Sequence, residues 1–180
     1  YLISALVGCT SSQERRILVV HSYEETYAAY PEFNRLIAKQ FKKEGVNADI
    51  RTLYLDCESY KEETELKRMR YLLDSVSGDW RPEVILVNED QATYSLMKCG
   101  VQLGKEVPVV FGGVNYPNWG LLKRHPNVTG FHDKIAFNKN VSVAKELFGE
   151  HVRLFTMLDT TYIDKQIRRD AKEQFKGYKV

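Results

Sequence analysis

The sequence ILVV at positions 17–20 and the sequence VILV at positions 84–87 are continuous apolar runs. A strand that is covered on both faces has this pattern, because neither of its sides meets water. Apolar residues in the segments 50–55, 107–111 and 127–131 predict three further strands. Together these five segments form the framework of the predicted fold.

Amphipathic helices are predicted between the strands. Phe33, Ile37 and Phe41 share one face of a predicted helix at 29–44, and Gly45 supplies its stop. The same spacing predicts helices at 61–78, 92–103, 135–148 and 163–175, a short helical turn at 120–123, and a sixth strand at 153–158. Alternation of strands and helices indicates right-handed βαβ crossovers. The sequence therefore predicts an α/β fold, a doubly wound parallel sheet with helices on both faces.

The chain divides into three predicted regions. Residues 1–16 combine an apolar run with Gly8-Cys9 and a polar tether, and this resembles a processed signal with a bacterial lipobox whose Cys9 would carry lipid. An expression remnant and an uncleaved signal anchor are the alternatives. Residues 17–134 form the predicted first lobe, and residues 135–180 a crossover helix and the beginning of a second, incomplete lobe. We expect an extracytoplasmic domain of a longer, membrane-attached protein.

Composition excludes several classes of function. Lys plus Arg is 26 and Asp plus Glu is 24 in 180 residues, so the net charge of +2 predicts no nucleic-acid partner. The four histidines are scattered without ligand spacing, which predicts no metal site. Cys57 and Cys99 are expected to be buried free thiols, with a disulfide as the alternative.

Motifs of catalysis and of cofactor binding are missing from the sequence. A GxGxxG segment does not follow the first strand, and neither a P-loop nor a GxSxG elbow is present. We therefore expect no cofactor and no enzyme, and an α/β enzyme stays a distant alternative.

Polar segments follow the predicted strands, at the edge where open parallel sheets bind ligands. They are residues 21–23, 56–60, 88–91, 112–118 and 132–133. Hydroxyl, amide and carboxylate groups there suit a small polar solute held by several hydrogen bonds. Each group also has a purely structural interpretation, such as a helix N-cap for Asp90 or a turn for Ser22.

Two segments carry a family resemblance. VPVVFGGVN at positions 107–115, followed by PNVTGF at 126–131, resembles the type I periplasmic-binding-protein fold, in the branch of ABC-transporter substrate-binding lipoproteins. ILVVHSY at 17–23 and VNEDQA at 87–92 are closer to a sub-branch, the extracytoplasmic sensors of bacterial two-component histidine kinases, often hybrid ones. The resemblance covers about residues 16–176. It implies a two-lobed clamp that closes on a small solute.

The resemblance also implies which residues contact the ligand. Carried onto this chain, they are Ser22, Tyr23, Glu89, Asp90, Asn115, Tyr116 and Asp133 in the first lobe, faced by Thr160 and Thr161 from the second. The neighbouring acids at 89 and 90 favour an amine or an amino-acid-like solute where they point inward, and solvent is the alternative.

Two functional hypotheses result. In the first, the chain is the sensor domain of a membrane histidine kinase, and lobe closure or rearrangement of a homodimer passes the signal. In the second, it is a lipid-anchored substrate-binding component of an ABC transporter. The lipobox-like Cys9 favours the second, and the segments around His21 and Asn88 favour the first, which we prefer.

Overall fold

The computed structural model describes residues 13–158 and 162–176. Within these residues the chain forms five strands and seven helices. In chain order they are β1 (Arg15–His21), α1 (Tyr30–Lys43), β2 (Ala48–Tyr54), α2 (Glu62–Val76), β3 (Val84–Asn88), α3 (Asp90–Lys98), α4 (Leu103–Glu106), β4 (Val109–Val114), α5 (Trp119–Leu122), β5 (Val128–His132), α6 (Phe137–Phe148) and α7 (Tyr162–Gln174).

The five strands form one parallel sheet in the order β2-β1-β3-β4-β5. Ile17 of β1 stands in register with Ile50 of β2 on one side and with Val84 of β3 on the other. Strand β2 is therefore added on one side of β1, and β3, β4 and β5 are added on the other side, which defines a doubly wound sheet. The predicted fold class and the first five of the six predicted strands are confirmed.

The two faces of the sheet are covered by different helices. Leu18 and Val20 of β1 belong to a buried cluster that also contains Leu73 of α2 and Leu96 of α3. Successive residues of a strand point to opposite faces, and His21 accordingly packs against α1 through Tyr30. The prediction of helices on both faces is confirmed.

A close backbone approach joins β4 to β5. A Cβ atom on Gly130 would lie 2.1 Å from the carbonyl oxygen of Phe111, far inside van der Waals contact. The pairing of these two strands is irregular between Phe111 and Val114. Glycine at position 130 is therefore required by the space between the strands.

Two predicted elements differ from the structure. Residues 153–158 do not form the predicted sixth strand, and Phe155 and Met157 are 92% and 96% exposed. No strand of the described residues pairs with this segment, so a sheet does not complete its backbone hydrogen bonds. The predicted helix at 92–103 is two helices, because the chain breaks at Gly100, where φ is +79°.

None of the helices among the described residues is both long enough and apolar enough to cross a membrane. The division into a first lobe at 17–134 and the start of a second lobe from residue 135 stays a prediction.

Candidate functional site

The carboxyl ends of the parallel strands meet at one edge of the sheet. We use the word rim for the loops 22–29, 55–61 and 115–118 together with Glu89. Because β1 lies between β2 and β3, the loops that follow β1 and β3 leave the sheet beside each other. The strand order reverses between β1 and β3, and this position is called the topological switch point. Open α/β sheets bind ligands there.

Ser22 is fully buried and holds the loops of β1 and β3 together. Its hydroxyl donates to the carbonyl oxygen of Asn88 (2.9 Å) and accepts from the N–H of Ala92 in the first turn of α3 (2.9 Å). The side chain thus satisfies an otherwise unpaired helix N–H group. This is the structural interpretation that the sequence left open for Ser22.

Asp90 is 1% exposed and ties α3 to the loop after β4. Its carboxylate accepts the backbone N–H of Asn115 (2.7 Å) and that of Tyr116 (3.2 Å). Burial raises the pKa of this carboxyl group, and the two N–H donors oppose the rise. Asp90 is the first helical residue and does not cap α3, so the N-cap alternative is wrong.

Glu89, the residue directly before Asp90, brings a further carboxylate to the rim. Its backbone has φ +72°, a conformation that is strained for any residue other than glycine and is concentrated at functional sites. Gly113, also at positive φ, leaves room for this side chain, since a Cβ there would lie 3.4 Å from Cγ of Glu89. The carboxylate accepts the hydroxyl of Tyr30 (2.9 Å), and burial raises its pKa.

A group of aromatic side chains lies next to Glu89 and was not predicted as a unit. The tyrosine cluster consists of Tyr23, Tyr27, Tyr30 and Tyr54, with His21 stacked on Tyr30 at 3.8 Å. Only Tyr23 of the cluster was a predicted site residue. The count of eleven tyrosines was the available signal, but it did not show which of them meet.

The cluster is internally hydrogen-bonded. The buried hydroxyl of Tyr30 accepts the N–H of Tyr23 (3.0 Å) while it donates to Glu89. Burial raises the pKa of Tyr23, and the negative charges of Glu89 and Glu58 add to the rise. Its phenol group therefore stays neutral at physiological pH.

Asn115 and Tyr116 connect the rim to later parts of the chain. The Asn115 amide donates to the backbone carbonyl of Asp133 (3.2 Å), and the Tyr116 hydroxyl donates to the carboxylate of Asp170 in α7 (3.4 Å). Burial and the Asp170 charge raise the pKa of Tyr116 to about 12. The structure thus brings α7 to the rim.

Three of the predicted residues lie outside the described part of the chain: Thr160, Thr161 and Cys9. Cys57 and Cys99 are buried free thiols, as the sequence favoured, and burial raises the pKa of both. Among the described residues no group of three or more His, Cys, Asp or Glu side chains could hold a metal ion.

A cavity of about 450 Å³ lies away from the rim. It is lined by residues of α2, of the loop after α2 and of the segment from Gly100 to Glu106, and these include Arg70 and Arg81. None of the predicted site residues lines it.

Two solved structures share this fold. The ligand-free, open structure of CD0873, a substrate-binding protein with adhesive properties from Clostridium difficile, matches with a TM-score of 0.56 at 14% identity, covering 89% of this chain and 53% of that one. A conserved domain protein from Vibrio cholerae O1 biovar El Tor matches with a TM-score of 0.56 at 17% identity, covering 74% of this chain and 44% of that one.

No family model matches the chain, and no curated protein matches it. The chain spans about half the length of the two solved structures. These likenesses show a binding-protein-like α/β fold.

Proposed function

We propose that the chain binds a small polar solute at the rim. One observation carries this proposal: the half-buried carboxylate of Glu89, held on a strained backbone, lies at the switch point of a parallel sheet beside an aromatic cluster. Ser22 and Asp90 hold the surrounding loops in place, because their polar atoms are hydrogen-bonded to backbone groups of those loops. No chemical conversion of the solute belongs to the proposal.

Closure of the chain over the solute is part of the same proposal. The contact between Tyr116 and Asp170 supports it, since it joins the rim to α7, which follows the segment 151–158 in the chain. A solute that fits between the rim and α7 would favour the closed arrangement in proportion to its preference for that arrangement. Thr160 and Thr161 are proposed as contacts from this side.

We propose further that binding serves signalling, as the extracytoplasmic sensor of a bacterial two-component histidine kinase. The sequences ILVVHSY and VNEDQA support this choice, and both border the rim in the fold. The parent protein would be attached to the membrane, and closure or rearrangement of a homodimer would transmit the signal.

The second candidate is a lipid-anchored substrate-binding component of an ABC transporter. Two observations favour it: the lipobox-like segment that ends at Cys9, and the likeness to a solved structure described as a substrate-binding protein. Both candidates require the same solute-binding rim. They differ in the size of the parent protein, because only the sensor is fused to a kinase.

An immunoblot of membrane fractions with an antibody against this domain separates the two candidates. A band several times larger than 20.9 kDa supports the fused sensor. A band that fits two lobes only, released by detergent, supports the lipoprotein and contradicts the sensor.

Solute binding itself is tested by NMR. A library of small polar solutes is added to the isotopically labelled 180-residue chain, and the amide signals of Tyr23, Glu89 and Tyr116 are followed. A saturable shift confined to the rim is expected for at least one solute. A library that leaves all of these signals unchanged contradicts the proposed function.

A further inference from the structure

The exposed side of the tyrosine cluster forms an aromatic wall. The ring of Tyr27 stands 4.8 Å from that of Tyr23 and 4.9 Å from that of Tyr30, and it is the outermost of the three, 39% exposed. Tyr23 is half-buried beside it. Aromatic faces attract cations through the negative potential above the ring.

The carboxylate of Glu89 lies next to these rings, where it contacts the hydroxyl of Tyr30. Among the described residues, Glu89 forms no ion pair with a lysine, arginine or histidine. Its carboxylate accepts the neutral hydroxyl of Tyr30, and the neighbouring carboxylate of Asp90 adds repulsion. A half-buried carboxylate of this kind gains from a cationic partner.

The same geometry disfavours an anionic ligand. The beginning of a helix such as α3 would ordinarily attract an anion. Here Glu89 and Asp90 already bring carboxylates to that position. The N–H groups of Asn115 and Tyr116, which could bind an anion, donate to Asp90.

We propose that the rim selects a small organic cation, whose charged group contacts Glu89 and lies against the rings of Tyr23 and Tyr27. This inference rests on the proposed function and names the class of solute. A quaternary ammonium group fits it well, because its positive charge is spread over methyl groups that pack against aromatic faces.

Choline and its neutral carbon isostere, 3,3-dimethylbutan-1-ol, are the test pair, since they have nearly the same shape and differ in charge. Binding of each to the 180-residue chain is measured by NMR titration of the rim amides. We expect choline to bind at least tenfold more tightly than the alcohol. Equal binding of the two, or no binding of choline, overturns the inference, and neither result depends on a variant.

Matched variants locate the effect. Glu89→Gln should weaken choline binding about tenfold and abolish its advantage over the alcohol, and Tyr27→Ala should weaken it several-fold. The controls lie outside the rim. They are Glu63→Gln, an exposed acid on α2, and Tyr71→Ala, a 74% exposed tyrosine on the same helix, and both should stay within twofold of the unmodified chain. Unchanged binding by the folded Glu89→Gln variant also overturns the inference.

A third solute separates failure of this inference from failure of the proposed function. Acetate is titrated alongside the pair. Rim shifts with acetate or with the alcohol, but not with choline, contradict the cation preference and leave solute binding intact. Rim signals that respond to none of these probes and to no member of the solute library contradict both.

Discussion

Glu65 gives the clearest pH-dependent prediction for this chain. The residue lies in the first turn of α2 and is only 7% exposed. Burial raises the pKa of its carboxyl group to about 7, repulsion from Glu62 adds to the rise, and Lys98 opposes it. Cys57, itself buried, is a further neighbour whose pKa the Glu65 charge raises.

The sign of the effect on stability depends on the direction of this shift. A carboxyl group whose pKa rises on folding binds its proton more tightly in the folded chain than in the unfolded chain. Its stabilising contribution is complete below its ordinary pKa of 4.5 and is lost as the pH rises through about 7. The difference between these two pKa values corresponds to about 3.5 kcal/mol, at about 1.4 kcal/mol for each pH unit.

The perturbation is Glu65→Gln, which keeps the shape of the side chain and removes its ionisation. Near pH 5 the variant should lie within about 1 kcal/mol of the unmodified chain in free energy of unfolding, because most of the Glu65 contribution is still present there. Near pH 8.5 it should be more stable by about 2 to 3 kcal/mol, because the unmodified chain then holds a buried charge. The assay is urea unfolding at several pH values, followed by the fluorescence of Trp80, which is 7% exposed.

Glu63→Gln is the matched control. Glu63 lies on the same helix, two residues away, and forms an exposed ion pair with Lys67 at 2.8 Å. Its replacement should leave the free energy of unfolding nearly unchanged at either pH, because an exposed ion pair contributes little to stability. If the free energy of unfolding of Glu65→Gln follows that of the unmodified chain in parallel from pH 5 to 8.5, the reasoning about Glu65 is refuted.

Three further substitutions test the scaffold of the rim by urea unfolding. Ser22→Ala should destabilise the fold by about 1 to 3 kcal/mol, since the buried N–H of Ala92 loses its partner; a change near zero would show that water replaces the hydroxyl. Asp90→Asn should lower stability by about 2 kcal/mol, because its amide can present only one oxygen to two N–H donors, and an unchanged midpoint would contradict this role. Gly130→Ala should cost about 3 kcal/mol or more through the clash with Phe111, whereas near-normal stability would mean that β5 can shift.

The architecture could be predicted from the apolar pattern alone. The continuous apolar run 17–20 becomes a strand that is buried on both faces, where no alternation is needed. The run 84–87 becomes a strand with one buried and one half-buried face. Helical periodicity identified α1, α2, α6 and α7 to within a few residues. The polar segments after the strands also met at one edge, since parallel strands must end together.

Which of those polar residues stay available depends on the tertiary fold. Ser22 and Asp90 carry the hydroxyl and carboxylate groups that often bind ligands. In the fold, however, these groups are hydrogen-bonded to backbone groups from other parts of the chain. The tyrosine cluster is likewise assembled from three places in the chain: the loop after β1, the beginning of α1 and the end of β2.

The segment 153–158 is a case in which the sequence pattern predicted an element that the fold does not form. Its apolar residues have the composition of a strand, but a strand exists only where a neighbouring backbone completes its hydrogen bonds. Local composition carries the preference of each residue for a conformation and for burial. Hydrogen-bond partners are supplied by residues distant in the chain, and for that reason only the folded molecule determined which carboxylate and which rings are left facing solvent.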